Sequence, residues 1–326
     1  MISNIWLHRL ALFTVVMTWL LLFAGALVTG TGSGLSVPDW PLSYGQFFPP
    51  MVGGVLFEHG HRLIAGTVGI LTLILCIWTW LVEPRGWVRW LSTIALVAVV
   101  TQAVLGGMTV LYRLPTAVSV SHACLAQLFF SSMLILALVT SPAWQKPMYL
   151  SLEAPPEGVL PQLSLVLTGV FFLQLAMGAV MRHTGSGLAI PDFPTVFGGW
   201  WPATFTFPVA IHFAHRLGAY TAAILTAFVA ATVVKNYFSH FLVTIFAGVM
   251  TMAVAVQIVL GASILWLKRP IPVTTLHLAV GAICLASSAC VTLLAFRIHG
   301  QGIVPGTWWE GFRASSWRLP PEEVRT

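Results

Sequence analysis

The stretch Phe57-Glu58-His59-Gly60-His61-Arg62 sets a carboxylate, two imidazoles and a guanidinium at the mouth of an apolar run. Ala210-Ile211-His212-Phe213-Ala214-His215-Arg216, about half the chain later, repeats the closing His-Arg pair ahead of another apolar run. His61 aligns with His215, and Glu58 with His212. His122 and His277 open two further runs at matched positions. Titratable side chains at a membrane boundary are expensive to bury, so their recurrence points to a site used twice. Two imidazoles per half are too few for zinc or copper, which take three or four protein donors. They are enough for a heme iron, because the porphyrin fills the other four positions. The bland role of one such histidine is a hydrogen bond to a backbone carbonyl. Packing alone does not require four of them in a two-by-two pattern.

Glu58 precedes His61 by three residues and shares its side of a helix. Desolvation there would bring its carboxyl into the range of proton transfer near neutrality; an i, i+4 ion pair with Arg62 is the alternative. Arg62 and Arg216 either reach toward the interface or pair with a heme propionate. His212 either assists the second site or takes a hydrogen bond. Structural roles are expected for His59, His183, His8, His240 and His299. The second half lacks a counterpart of the Glu58 carboxylate, which makes the first half the candidate for chemistry and the second for a permanent cofactor.

The elements that must hold these residues are membrane spans. Of the 326 residues, 58% are hydrophobic and 7% charged, and the mean hydropathy is +0.90; soluble domains carry about 25% charged residues. Apolar runs near the ~20 residues that cross a bilayer lie at 9–29, 62–82, 88–110, 118–140, 160–181, 216–234, 241–266 and 272–296. The second and sixth are expected to begin a turn earlier, so that each His-Arg pair falls in a first helical turn. The first run, which leads into Gly30-Thr31-Gly32-Ser33-Gly34, reads as an anchor. Nine of the fifteen Lys and Arg fall on one side: Arg9, Arg85, Arg89, Lys146, Lys235, Arg297, Arg313, Arg318 and Arg325. By the positive-inside rule both termini are cytoplasmic. Arg62, Arg113, Arg182, Arg216, Lys268 and Arg269 lie at helix mouths on the other face, where an anionic ligand would suit them. The net charge of +6 therefore speaks of membrane lipid and ligand, and no nucleic acid is expected. Cys76, Cys124, Cys284 and Cys290 lie in apolar runs and read as small hydrophobes.

An internal repeat runs through the chain. Residues 30–41 (GTGSGLSVPDWP) align with 183–194 (HTGSGLAIPDFP) at an offset of 153. The offset is 154 at His61/His215 and 155 at Gln102/Gln257, Gly106/Gly261, Pro115/Pro270 and His122/His277. Each unit has four spans, an even number, so both copies enter the membrane from the same side. The expected architecture is all-α: eight transmembrane helices in two pseudo-symmetric four-helix bundles, 1–140 and 160–297, with a cytoplasmic linker at 141–159 and a cytoplasmic tail at 298–326. The Gly-, Pro- and aromatic-rich segments 30–56 and 183–209 are expected to lie over the bundles as caps.

The Glu-His-Gly-His-Arg motif, His122, His215-Arg216, His277 and the Thr-Gly-Ser-Gly-Leu...Pro-Asp-Trp-Pro loop, in this order over roughly residues 9–296, resemble the heme A synthase family. That resemblance implies oxidation of a ring methyl of heme O to a formyl group, giving heme A in two successive hydroxylations. It further implies a resident heme b on His215 and His277, the substrate heme on His61 and His122, and Glu58 as the acidic residue beside it. A place in the cell inner membrane, supply by heme O synthase (protoheme farnesyltransferase), a part in cytochrome oxidase assembly and an unidentified electron acceptor follow from it too. Some bacterial members carry a cysteine pair in the first external loop; residues 30–56 hold none. The competing readings are a di-heme electron-transfer cytochrome and a heme carrier.

Overall fold

The computed structural model describes residues 4–145 and 158–300. Most of the expected linker and tail, with Lys146, Arg313, Arg318 and Arg325, lies outside the described residues. Eight long helices account for most of the rest: α1 (Ile5–Gly30), α2 (Gly54–Val82), α3 (Gly86–Leu111), α4 (Thr116–Thr140), α5 (Val159–His183), α6 (Phe207–Asn236), α7 (Phe241–Trp266) and α8 (Ile271–Gly300). A single turn, Pro142–Gln145, follows α4, and a short 3-10 turn, Ser186–Leu188, follows α5. All eight are long and apolar enough to cross a membrane. Hydrocarbon offers backbone groups no partner, and a helix satisfies them internally. Among the described residues there is no strand, only the isolated bridges Ser43–Gln46 and Val196–Gly199, one in each loop.

The sequence repeat is also a packing repeat. In the first half α1, α2, α3 and α4 pack on one another in order and α4 returns to α1; α5, α6, α7 and α8 close the same kind of ring. The rings meet where α1 and α4 pack on α8 and α4 packs on α5. In α4 and α8 the most apolar windows are 56% and 67% buried, against 28% at most in the other six, so these two helices form the centre.

Helices α2 and α6 begin eight and nine residues ahead of their apolar runs, two turns earlier rather than one, which sets His61-Arg62 and His215-Arg216 in third turns. Hydropathy misses these turns because they carry Glu58, His59 and His212, each of which makes one hydrogen bond to the loop before its helix (below). At about 1.5 Å per residue, the 30 residues of α6 outreach a hydrocarbon layer of about 30 Å. Similarly, α8 continues to Gly300, three residues past the expected boundary at 297. The four cysteines are free.

Helices in lipid associate by close packing, not by expulsion of water. Leu136 on α4 has no exposed surface, and Leu136→Ala is expected to destabilise the protein by about 2 to 5 kcal/mol through the cavity left behind. Thermal unfolding in detergent checks this; Leu81→Ala, at a side chain 76% exposed, should leave the transition unmoved.

Candidate functional site

The loops are fixed before the site is. In the first, the Asp39 carboxylate accepts the N–H groups of Tyr44 (2.7 Å) and Gly45 (2.8 Å), two residues with positive φ at the tip of a tight turn. In the second, Asp192 does the same for Phe197 and Gly198, both at 2.8 Å, and also accepts the Thr195 hydroxyl. The Gly45 N–H does most to hold the Asp39 carboxyl below its ordinary range, and the Gly198 N–H does so for Asp192. A depressed pKa contributes stability above the ordinary carboxylate range, so both turns keep their charged caps at neutral pH.

Each loop is then strapped to the helix that follows it. Arg62 donates through Nη1 to the carbonyls of Asp39 and Leu42, both at 2.8 Å, and through Nη2 to Glu58 at 2.7 Å. The second Glu58 oxygen accepts the Val37 N–H at 2.8 Å. In the other half Arg216 donates to the carbonyls of Asp192 (2.6 Å), Thr195 (2.8 Å) and Ile190 (3.0 Å). His212 takes the Glu58 part there: its Nδ1 accepts the Ile190 N–H at 3.2 Å, and its Nε2 lies 3.4 Å from Arg216 Nε. Glu58 and His212 are thus equivalent struts differing in charge. The first strap is a neutral ion pair, whereas Arg216 faces an imidazole. His59 belongs to the loop as well, with Nδ1 2.7 Å from Ser43 Oγ. The donors of Arg62 and Arg216 are therefore turned toward their own loops.

Under each loop stand two of the expected histidines, on diagonally opposed helices: His61 on α2 with His122 on α4, and His215 on α6 with His277 on α8. The members of each pair lie within electrostatic reach of one another. All four rings are half-buried, with Nδ1 enclosed and without a side-chain partner. Each lies edge-on against a glycine of a neighbouring helix. A Cβ there would stand 3.0 Å from His61 Cε1 at Gly25, 3.2 Å from His122 at Gly106, 3.2 Å from His215 at Gly178 and 3.5 Å from His277 at Gly261. Thus α1 backs the ligand candidate on α2, α3 the one on α4, and the second half repeats the scheme. Backbone carbonyls of Leu21, Gln102 and Gln174, one turn before the glycines, lie beside the rings of His61, His122 and His215. The side-chain amides of Gln102, Gln174 and Gln257 donate to the main-chain carbonyls of His122, His215 and His277, each at 2.8 Å. At His61 the equivalent position is Leu21, so that main chain has no such tether.

The glycines and glutamines that hold these histidines are not revealed by the spacing of the histidines, although Gly106/Gly261 and Gln102/Gln257 are repeat-matched. Among the described residues no three His, Cys, Asp or Glu side chains gather as a metal cluster. Two imidazoles facing across a bundle leave four coordination positions to a planar ligand, and the backed rings and enclosed Nδ1 atoms fit a porphyrin iron held through Nε2. The Trp40 ring, carried by the first loop, lies where a Cβ on Gly107 would be 2.7 Å away, so the loop reaches α3 next to the glycine behind His122.

Residues 52–289 match the COX15-CtaA family model, described as cytochrome oxidase assembly protein. A heme A synthase of Bacillus licheniformis is 32% identical over 206 residues, covering 61% of this chain and 67% of that protein. One from Shouchella clausii is 28% identical over 263 residues (79% and 86%), and one from Halalkalibacterium halodurans 28% over 292 residues (85% and 93%).

A methyl group on Gly178 must displace the His215 ring, whereas one on Gly169 of the same helix meets nothing within 4 Å. Gly178→Ala is therefore expected to weaken iron-porphyrin binding in the second half about tenfold or more, the usual effect of disturbing a ligand's support, while Gly169→Ala leaves it unchanged. Titration of the pigment by its absorption spectrum reads the difference.

Proposed function

Because the chain belongs to the COX15-CtaA family of cytochrome oxidase assembly proteins, and its two histidine pairs fit porphyrin iron, we propose that it is a heme A synthase. It is a membrane-embedded oxidoreductase that converts a ring methyl of heme O to a formyl group in two successive oxidations. The observation that carries the site reading is the set of four half-buried imidazoles in two diagonal pairs, each with an enclosed Nδ1 and a glycine at its back. His61 and His122 hold the substrate heme. His215 and His277 hold a resident heme b, which when bound supplies a one-electron relay to an acceptor of unidentified kind.

The chain's own residues then divide the work. The glycines fix where each imidazole stands, and the glutamines tether three of the four ligand backbones. The loops, strapped by Arg62 and Arg216, cover the pairs and limit the entry of water. We assign these two arginines to the straps rather than to propionates, because their hydrogen bonds run to loop carbonyls. Glu58 is the proton acceptor. It is a buried carboxylate without a counterpart in the second half, and each oxygen keeps a lone pair beyond its bond to Arg62 or Val37. Its other duty is the strap, and the two are separable by substitution. Heme O synthase, a protoheme farnesyltransferase, supplies the substrate, and cytochrome oxidase receives the product.

Pigment extraction from purified protein tests the proposal. Wild type is expected to hold heme b together with heme O, heme A or a partly oxidised form. His277→Ala should lose the low-spin heme b. Glu58→Gln keeps an acceptor for the Val37 N–H but cannot take a proton. It should retain both pigments while heme A formation falls about 100-fold or more and heme O accumulates. Heme b alone in two copies would make the protein a di-heme cytochrome. Near-normal heme A in Glu58→Gln would leave Glu58 only the strap.

The loops lie on the outer face of the cell membrane and both termini in the cytoplasm. Supporting this, Arg9, Arg85, Arg89, Lys235 and Arg297 lie at or near the helix ends opposite the loops. A phosphatase fused after Thr326 is expected to be inactive; activity there would reverse the orientation.

A further inference from the structure

Arg182, in the last turn of α5, turns inward. Its Nη2 donates at 2.9 Å to the carbonyl of Ala26 on α1, the residue after the glycine that backs His61. On its own helix it stands one turn beyond Gly178, which backs His215, and it lies within electrostatic reach of His277. The adjacent His183 lies within reach of His122. A cation of the second half is thus set at the seam between the two histidine pairs. The fold does not demand it, since the matching residues of the first half are Thr29 and Gly30. A basic residue at a helix C-terminus is favoured by the helix dipole, yet that benefit is equally available to a side chain pointing into water.

A guanidinium in this position calls for an anion, and no acidic side chain among the described residues supplies one. The neighbouring charge, Arg269, has the same sign. Asp39 and Asp192 are occupied in their turns and Glu58 by its strap; the ion pairs among the described residues are Glu58–Arg62 and Glu83–Arg85. Beside Arg182 lies a second donor in want of a partner. The Thr275 hydroxyl on α8 is fully buried and unbonded, and it and Arg182 Nη2 are each 3.8 Å from the point where a Cβ on Gly30 would stand. A desolvated cation without a counter-ion is costly, while a guanidinium and a hydroxyl each 3.8 Å from one point are close enough to share the two oxygens of a carboxylate. We infer that Arg182 and Thr275 form a carboxylate-binding site at the seam, and that its ligand is a heme propionate. This rests on the heme reading of the two pairs; the resident heme and the substrate heme are the two sources of that carboxylate.

Full-length Arg182→Gln, Arg182→Lys and Thr275→Val proteins, purified with their pigments, test the inference. If the propionate belongs to the resident heme, Arg182→Gln keeps a low-spin heme b whose midpoint potential is lower than in wild type. The propionate carboxylate band in the redox-difference infrared spectrum shifts, Arg182→Lys recovers part of the change, and Thr275→Val makes a smaller one in the same direction. If it belongs to the substrate, heme b is unaltered and heme O retention falls roughly tenfold or more. Arg182→Gln with unchanged potential, carboxylate band and heme O retention overturns the site. Should Arg182→Gln fail to accumulate, a wild-type-like Arg182→Lys still supports it, and failure of both makes Arg182 a packing residue and overturns it. Absence of heme b from the wild-type protein would take down the heme reading and this site together, and is seen before any variant is made.

Discussion

Everything at the loop end depends on a guanidinium that binds backbone carbonyls. Loops rich in Gly, Pro and aromatics have no regular hydrogen-bond ladder, and at a lipid boundary their carbonyls need donors. Arg62 and Arg216 supply these from helical turns next to His61 and His215, so the position of each loop and the position of each imidazole are set by consecutive residues. Displacing a loop would move a ligand, and turning a ligand helix would break a strap. Trp40 extends the same linkage to α3 and the backing of His122.

The two halves use one scaffold with different charge. Glu58 neutralises its arginine, whereas His212 fills the same position without supplying a negative charge. Arg182 adds a further cation on the side of the second half. A fixed positive potential favours the reduced state of a bound redox group and attracts its carboxylates, which suits the resident electron acceptor proposed for this half. The neutral first half, with a buried carboxylate at hand, suits the substrate proposed for it, which must lose protons and depart. The missing glutamine at Leu21 makes the same distinction in the backbone: of the four ligand candidates, His61 alone lacks an amide tether on its main chain.

Much of this was legible in the sequence because it rests on periodic or repeated features. Apolar runs gave the eight spans, and the 153-to-155 offset between halves identified which histidines correspond. The helix starts were missed because Glu58 and His212 lower the local hydropathy, and only a folded loop supplies their partners. The straps were invisible because backbone carbonyls have no residue type; a sequence offers Arg62 and Arg216 only side chains, ligands or solvent as partners. Glycines were equally mute. Gly66 and Gly69 have open space around them while Gly25 lodges an imidazole; the immediate neighbours do not separate the two cases, and only the repeat does, matching Gly25 to Gly178 but Gly66 and Gly69 to Tyr220 and Ala223.

The diagonal arrangement has a consequence for electron tunnelling. One member of each pair, His122 or His277, stands on a central helix, and these two helices, α4 and α8, pack directly on each other. The two histidine pairs are therefore joined by covalent backbone and packed side chains. Tunnelling rates fall off exponentially with distance and are slower across voids than through packed atoms. On the two-heme reading proposed above, a duplication that fused the halves along α4 and α8 would thereby have given an electron leaving one histidine pair a continuous route to the other, before any residue at the seam was changed.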